Sequence, residues 1–362
     1  MSVQEDQTSG AADPSTPRNH LEDTTETHLD ELSESCQSFE STHVYSCLDP
    51  KGDLRLNVGT VDAKSFTVCS KSLARASPFW DKLLYGVFKE GKDQNSQDGN
   101  LEWTIDLPDD DPKAMEVLLN IAHGRFDAVP KYKKNVAIAD VYDISVITDK
   151  YHMTYMIRPW AKDWARSALY STKFRPKLWQ WTNVHRRLWI SWELGDRAAF
   201  EKNAKRLLWE SSEQCDLRDD SVLEPPEIYG IIERTRLDTI KALLAPFREI
   251  IEGLRSNQTT LCQEDQEDES IAKSCIYSML DKSTASLRRN RLWPIPQPEE
   301  VSDSLAALSR TLKRIKIKGK SDKCSHMGAL RVKVRKIVRN VPSLLTESHI
   351  RHLESRAKRS GI

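Results

Sequence analysis

Residues 53–59, DLRLNVG, set Leu54, Leu56 and Val58 against Asp53, Arg55 and Asn57. That period of two predicts a half-buried strand. SFTVC (65–69) repeats it with Phe66 and Val68, and the turn from Gly59 to Lys64 predicts a hairpin. KSLARASPFWDKLLYGVF then changes to helical spacing. Ser77 before Pro78 reads as a cap followed by a proline at the first helical position, with Phe79, Leu83, Leu84, Val87 and Phe88 on one side. LEWTIDL (101–107) alternates again and predicts a third strand.

Three aspartates follow, in LPDDDPKAMEVLLNIAHG. Asp111 stands where an N-cap belongs and Pro112 where a helix begins, while Asp109 and Asp110 would face the positive end of the helix dipole. Ala114, Met115, Leu118, Leu119 and Ala122 predict the buried face, and Gly124 a left-handed end. Three consecutive loop side chains do not converge on one point, so the acids are read as helix punctuation and not as a metal site. His123, at the helix end, is read as a dipole partner and not as a base.

From 136 to about 290 the spacing is helical. VAIADVYDISVITDKY is apolar nearly all round, and TYMIRPWAKDWARSAL offers Thr154 as a cap and Pro159 as a kink. Seven of the ten tryptophans fall between residues 160 and 209, a stripe that predicts core packing. His185-Arg186-Arg187 reads as the solvated face of an amphipathic helix in preference to an anion site.

Composition changes the picture mainly at the ends. Residues 1–48 are rich in Ser, Thr, Glu and Asp, which predicts a disordered acidic segment. Residues 1–42 hold ten acids and one base, whereas 310–362 hold sixteen Lys and Arg and three acids, so a formal net charge of zero conceals opposite ends. The seven cysteines lack paired spacing, and the start MSVQEDQTSGAADPSTPRNH has no basic and apolar leader. An intracellular protein with reduced thiols is expected, in the nucleus or cytoplasm with a lean to the nucleus. No apolar run approaches the roughly 20 residues of a membrane span.

Taken in order, GDLRLNV, FTVCSKSLARASPFWDKLL, VFKEG, IDLPDDDPKAMEVLLNIAHGRFDAVP and TDKYHMTYMIRPWAKDW resemble the BTB/POZ domain, in the subgroup common in uncharacterised fungal proteins. RLWPIPQP and SDSLAALSRTL also resemble the C-terminal region of those proteins. Cys69-Ser70-Lys71 departs from animal members, which usually carry a His before the Lys. The resemblance implies an α/β (α+β) fold: a small sheet flanked by helices over 49–170, followed by a mainly α-helical C-terminal region. The rest divides into a helical Trp-rich stretch, 171–300, and a basic helical segment or tail, 301–362. It implies protein–protein contact and no catalysis.

No glycine-rich phosphate loop, H-E-x-x-H or G-x-S-x-G occurs. Cys262, Cys275, Cys324 and His326 are four zinc-type ligands, although neither Cys262-x12-Cys275 nor Cys324-x-His326 is a standard finger spacing. The leading expectation is therefore a chain without a resident cofactor, zinc being the one candidate. TLKRIKIKGKSDK and RVKVRKIVRN are basic. In the second, Leu330, Val334, Ile337, Val338 and Val341 form a helix face, with Lys333, Arg335, Lys336 and Arg339 elsewhere. These cations could serve nuclear import or phosphate binding, and with no interleaved aromatic residue nucleic acid is the less favoured partner.

Three functions follow. The first is a non-enzymatic protein–protein interaction module, self-associating or recruiting a partner. The second is an adaptor for a cullin-type ubiquitin ligase, through Phe88 and Glu90. The third is a nucleic-acid-associated regulator using the basic segment.

Overall fold

Four strands, β1 (Val44–Cys47), β2 (Leu54–Val58), β3 (Lys64–Val68) and β4 (Thr104–Leu107), form a mixed sheet in the order β1-β3-β2-β4. The computed structural model describes residues 44–88, 90–91, 103–131, 136–170, 181–212, 217–262, 269–320 and 323–362. The expected hairpin is present: β2 pairs antiparallel with β3, Leu56 opposite Phe66, while β4 lies parallel to β2. Leu54, Leu56, Val58, Phe66, Val68, Ile105 and Leu107 are buried, as the period of two requires. β1 corrects the expectation of disorder over 1–48, whose residues 1–43 lie outside the described ones. It pairs parallel with β3 and leads into buried Leu48. An edge strand needs little apolar content to pair, so VYSC carried no signal.

The run after β3 forms two helices, α1 (Ser70–Ala76) and α2 (Pro78–Tyr85). Asp53 caps α1 from outside, accepting from the Ser70 amide at 2.9 Å and its hydroxyl at 2.8 Å. Ser77 separates the helices: its Oγ accepts from the Phe79 amide at 3.0 Å and donates to the Tyr151 carbonyl at 2.5 Å. Trp80 and Leu84 are fully buried, and Trp80 stacks on Tyr151 with centroids 4.7 Å apart. The face predicted to continue through Val87 and Phe88 stops at Gly86, and both residues stand in solvent.

Asp111 caps α3 (Pro112–Ala122), accepting from the Ala114 amide at 2.7 Å, and Gly124 turns left-handed at φ +72. Asp110 is not at the dipole. It is buried and accepts from Lys150 Nζ at 2.7 Å and from the Tyr151 hydroxyl, joining this corner to α4 (Ile138–Lys150). His123 is a hydrogen-bonding partner of the helix end. The Leu119 carbonyl can only accept, so Nδ1 donates to it at 2.8 Å and Nε2 accepts from the Cys69 amide at 2.9 Å. That fixes a neutral imidazole.

Seven further helices follow: α5 (Arg158–Tyr170), α6 (Trp181–Leu194), α7 (Arg197–Glu210), α8 (Ile228–Arg255), α9 (Glu269–Arg289), α10 (Leu305–Leu312) and α11 (Met327–Arg339). An eighth, α12 (Glu347–Ser360), returns to pack on α6 and on the turn Thr154–Ile157. Val44–Ile362 form one unit, so the basic C-terminal stretch is integral to the packing. Pro159 sits in the first turn of α5, where its missing amide costs no hydrogen bond. His185 corrects the solvated-face reading: it is buried, with Nδ1 2.7 Å from the Tyr229 hydroxyl, and Arg187 Nε donates to the Ala168 carbonyl at 3.0 Å.

Thr154 does not cap a helix. Its hydroxyl donates at 2.5 Å to Glu193 Oε1, and the Thr148 hydroxyl donates to the same atom at 3.2 Å. Glu193 is 0% exposed. Arg356, on α12, places Nη1 3.2 Å from both its oxygens and gives Nη2 to Asp149. At the end of α6, Gly195 (φ +80) lies so close to α12 that a Cβ there would stand 2.1 Å from the Ala357 amide nitrogen.

Candidate metal centre

Three elements bring three sulfurs together. The turn Thr259–Leu261 presents Cys262, the buried side of α9 presents Cys275, and a hairpin between α10 and α11 presents Cys324. The hairpin closes through the Gly319 amide donating to the Cys324 carbonyl at 2.8 Å and the His326 amide donating to the Ile317 carbonyl at 3.1 Å. Lys282 Nζ ties it to α9 through the Gly319 carbonyl at 3.0 Å, and the Ser286 hydroxyl accepts from the Lys316 amide at 2.9 Å. Gly319 is needed here for space: a Cβ would meet Cys275 Sγ at 2.6 Å and Cys324 Cβ at 2.8 Å.

None of the three thiols is in a disulfide, all are buried, and their sulfurs lie within 4.8 Å of one another, Cys262 Sγ and Cys324 Sγ being 3.6 Å apart. Sulfurs each about 2.3 Å from one tetrahedral zinc would be about 3.8 Å apart. The group could hold a metal ion. Burial pushes the Cys275 thiol up to about 12, and the neighbouring thiols Cys262 and Cys324 push the same way, against the Lys320 amide that donates to the sulfur. Cys275 without a metal is thus a thiol, and a metal must displace its proton to bind.

His326 stands outside the three-sulfur group. It is the N-cap of α11, and its Nε2 is 2.9 Å from the Leu261 carbonyl. A carbonyl only accepts, so Nε2 carries a proton.

No family model, curated protein or solved structure matches the chain. What the surface offers must then be taken from the remaining residues.

Phe88 and Glu90 are both exposed, and the Glu90 carbonyl accepts from Trp103 Nε1 at 2.9 Å. On α11, Leu330 and Val334 are buried, while Lys333, Arg335, Lys336 and Arg339 are exposed. Lys333 Nζ lies 3.9 Å from a Glu249 carboxylate oxygen. No described helix is long and apolar enough to cross a membrane. The basic stretch TLKRIKIKGKSDK also alternates. Between α10 and the hairpin, Ile315, Ile317 and Gly319 are buried while Arg314, Lys316, Lys318 and Lys320 are exposed.

Proposed function

We infer that the protein is a non-enzymatic interaction module that joins a protein partner or a second copy of itself through its small-sheet half. The observation that carries this reading is the turn after α2, where Tyr85, Val87 and Phe88 are 42%, 92% and 50% exposed. Single exposed apolar residues are ordinary, but three within four positions provide the kind of anchor on which interfaces depend. The ordered motifs that resemble BTB/POZ domains support the same use. Light scattering and cross-linking test it with Val87→Ser plus Phe88→Ser. Both side chains are in solvent, so melting should hold while association falls. A double variant that associates like wild type places the surface elsewhere.

The adaptor reading has its own observation: Phe88 and Glu90 are exposed together. Direct titration with a purified cullin decides it. Wild type without binding ends the reading, and Phe88→Ala with Glu90→Ala should weaken any binding by roughly thirtyfold. The exposed cations of α11 suit an import signal. A fluorescent fusion with Lys333, Arg335, Lys336 and Arg339 replaced by Gln should lose nuclear accumulation, and an unchanged distribution refutes that role.

The three-cysteine cluster is read as a structural zinc site that clips the hairpin to α9. Thiolate donors suit zinc, and a ligating histidine characteristically donates its other ring nitrogen to a carbonyl, as His326 does to Leu261. His326 is the residue that would complete the set. Metal analysis of the purified chain should find one zinc, lost in Cys275→Ser and held more weakly in His326→Ala. Metal-free wild type whose melting ignores both zinc and chelator refutes the site.

A further inference from the structure

We propose that the strip Arg314, Lys316, Lys318 and Lys320 is a sequence-independent binding surface for the phosphate backbone of duplex nucleic acid. Its inner side chains, Ile315 and Ile317, are buried, and Gly319 is packed against the cysteine cluster. All four outer side chains are cations, and all are exposed. Arg314 stands in the turn after α10, Lys318 bridges Ser325 across the hairpin and Lys320 stands at a bend, so the four cations gather on one short stretch.

The stretch is fixed in place by its own backbone. The Lys316 amide bonds Ser286, the Gly319 carbonyl accepts from Lys282, and the Gly319 amide bonds the Cys324 carbonyl. These bonds hold the stretch alongside α9 and occupy its main chain, leaving the side chains to face outward. Lys320 Nζ reaches the neutral Ser274 hydroxyl at 2.6 Å. From 305 to 320 the chain carries Arg310, Lys313, Arg314, Lys316, Lys318 and Lys320 and no acid, and α9 adds Lys273, Lys282, Arg288 and Arg289 against Glu269 and Asp281.

The chemistry of the stretch selects the partner. A membrane-surface element needs apolar residues to insert, and here they all point inward. A protein partner gains its affinity from buried aromatic or apolar anchors, and the strip presents none. Single-stranded nucleic acid is held by stacking on aromatic side chains, absent from these four positions. A group of exposed point charges without an apolar anchor suits a polymer of phosphates, bound by its backbone and not by base edges.

The test is fluorescence anisotropy of the full chain with two labelled DNA duplexes of unrelated sequence. Both should bind equally, and four neutralised phosphates give a slope of log affinity against log salt of up to about −3.6. Between about 50 and 200 mM salt the affinity should then fall roughly a hundredfold. Replacing Arg314, Lys316, Lys318 and Lys320 by Gln should weaken binding at low salt more than tenfold and flatten the slope, with melting unchanged because all four are exposed. Several results overturn the proposal: no binding by wild type at low salt, a strip variant that binds like wild type, or loss only when the α11 cations are replaced. Equal or tighter binding of a polyglutamate peptide or a phosphatidylserine vesicle also overturns it, and would give the surface to an acidic protein or a lipid.

Discussion

Glu193→Gln should change how stability depends on pH more than it changes stability at any one pH. Burial pushes the Glu193 carboxyl up from 4.5 to about 8; Arg356, Thr154 and Thr148 oppose this, and the charge on Asp149 adds to it. In the folded protein this acid therefore keeps its proton at pH values where the unfolded chain has lost it. Between the two pKa values the native state binds the extra proton, so stability falls as pH rises from 4.5 to about 8. Below that window both states are protonated, and above it both are ionised and the loss is complete. One proton corresponds to about 1.4 kcal/mol per pH unit, or roughly 3 kcal/mol between about pH 5 and pH 7.5. Glutamine does not titrate, keeps an oxygen for the two threonine hydroxyls, and leaves Asp149 to pair Arg356. Urea denaturation of both proteins across this range should show the variant gaining on wild type by that amount. Asp143, raised to about 6 by burial, and His352, lowered to about 4 by burial, titrate in both proteins and cancel in the difference. Parallel pH profiles would refute the reasoning and mean that Arg356 keeps Glu193 ionised.

Leu118→Asp, at a fully buried position of α3, should abolish soluble folding, because an unpaired buried carboxylate costs several kcal/mol against a total of about 5–15. A soluble variant with a cooperative melt would show this face to be misassigned. Asp111→Ala should cost about 1 kcal/mol through loss of the bond to the Ala114 amide, measured by urea denaturation, and a change near zero would show that water replaces the cap. Gly195→Ala should destabilise by more than about 2 kcal/mol, combining a left-handed backbone with a clash against α12, and a melting temperature within a degree of wild type would refute that contact.

The parts legible in the sequence were those whose physics is local. Ser77 and Asp111 cap donors two or three residues away, and the strands announce themselves by alternation. Helical periodicity alone could not see that Gly86 ends α2, so it assigned Val87 and Phe88 to a buried face when they are exposed. Asp110 was misplaced because its partners lie 40 and 41 residues away. His185 looked solvated beside two arginines, yet its ring is buried against Tyr229 from another helix. The cysteines were visible as a set of soft donors, but only the tertiary fold could converge Cys262, Cys275 and Cys324 and set His326 at the start of α11, outside the three-sulfur group. The pairing of Glu193 with Arg356 had no signal at all, because two charged residues 163 positions apart look like surface.

That separation also sets a schedule. A ribosome adding about 5–20 residues each second delivers Glu193 some 8–30 s before Arg356. Through that interval the carboxyl has no guanidinium partner, and Gly195 has no helix lying across it. The seam between α6 and α12 therefore waits on one event: its ion pair and its close backbone contact form together, when α12 docks.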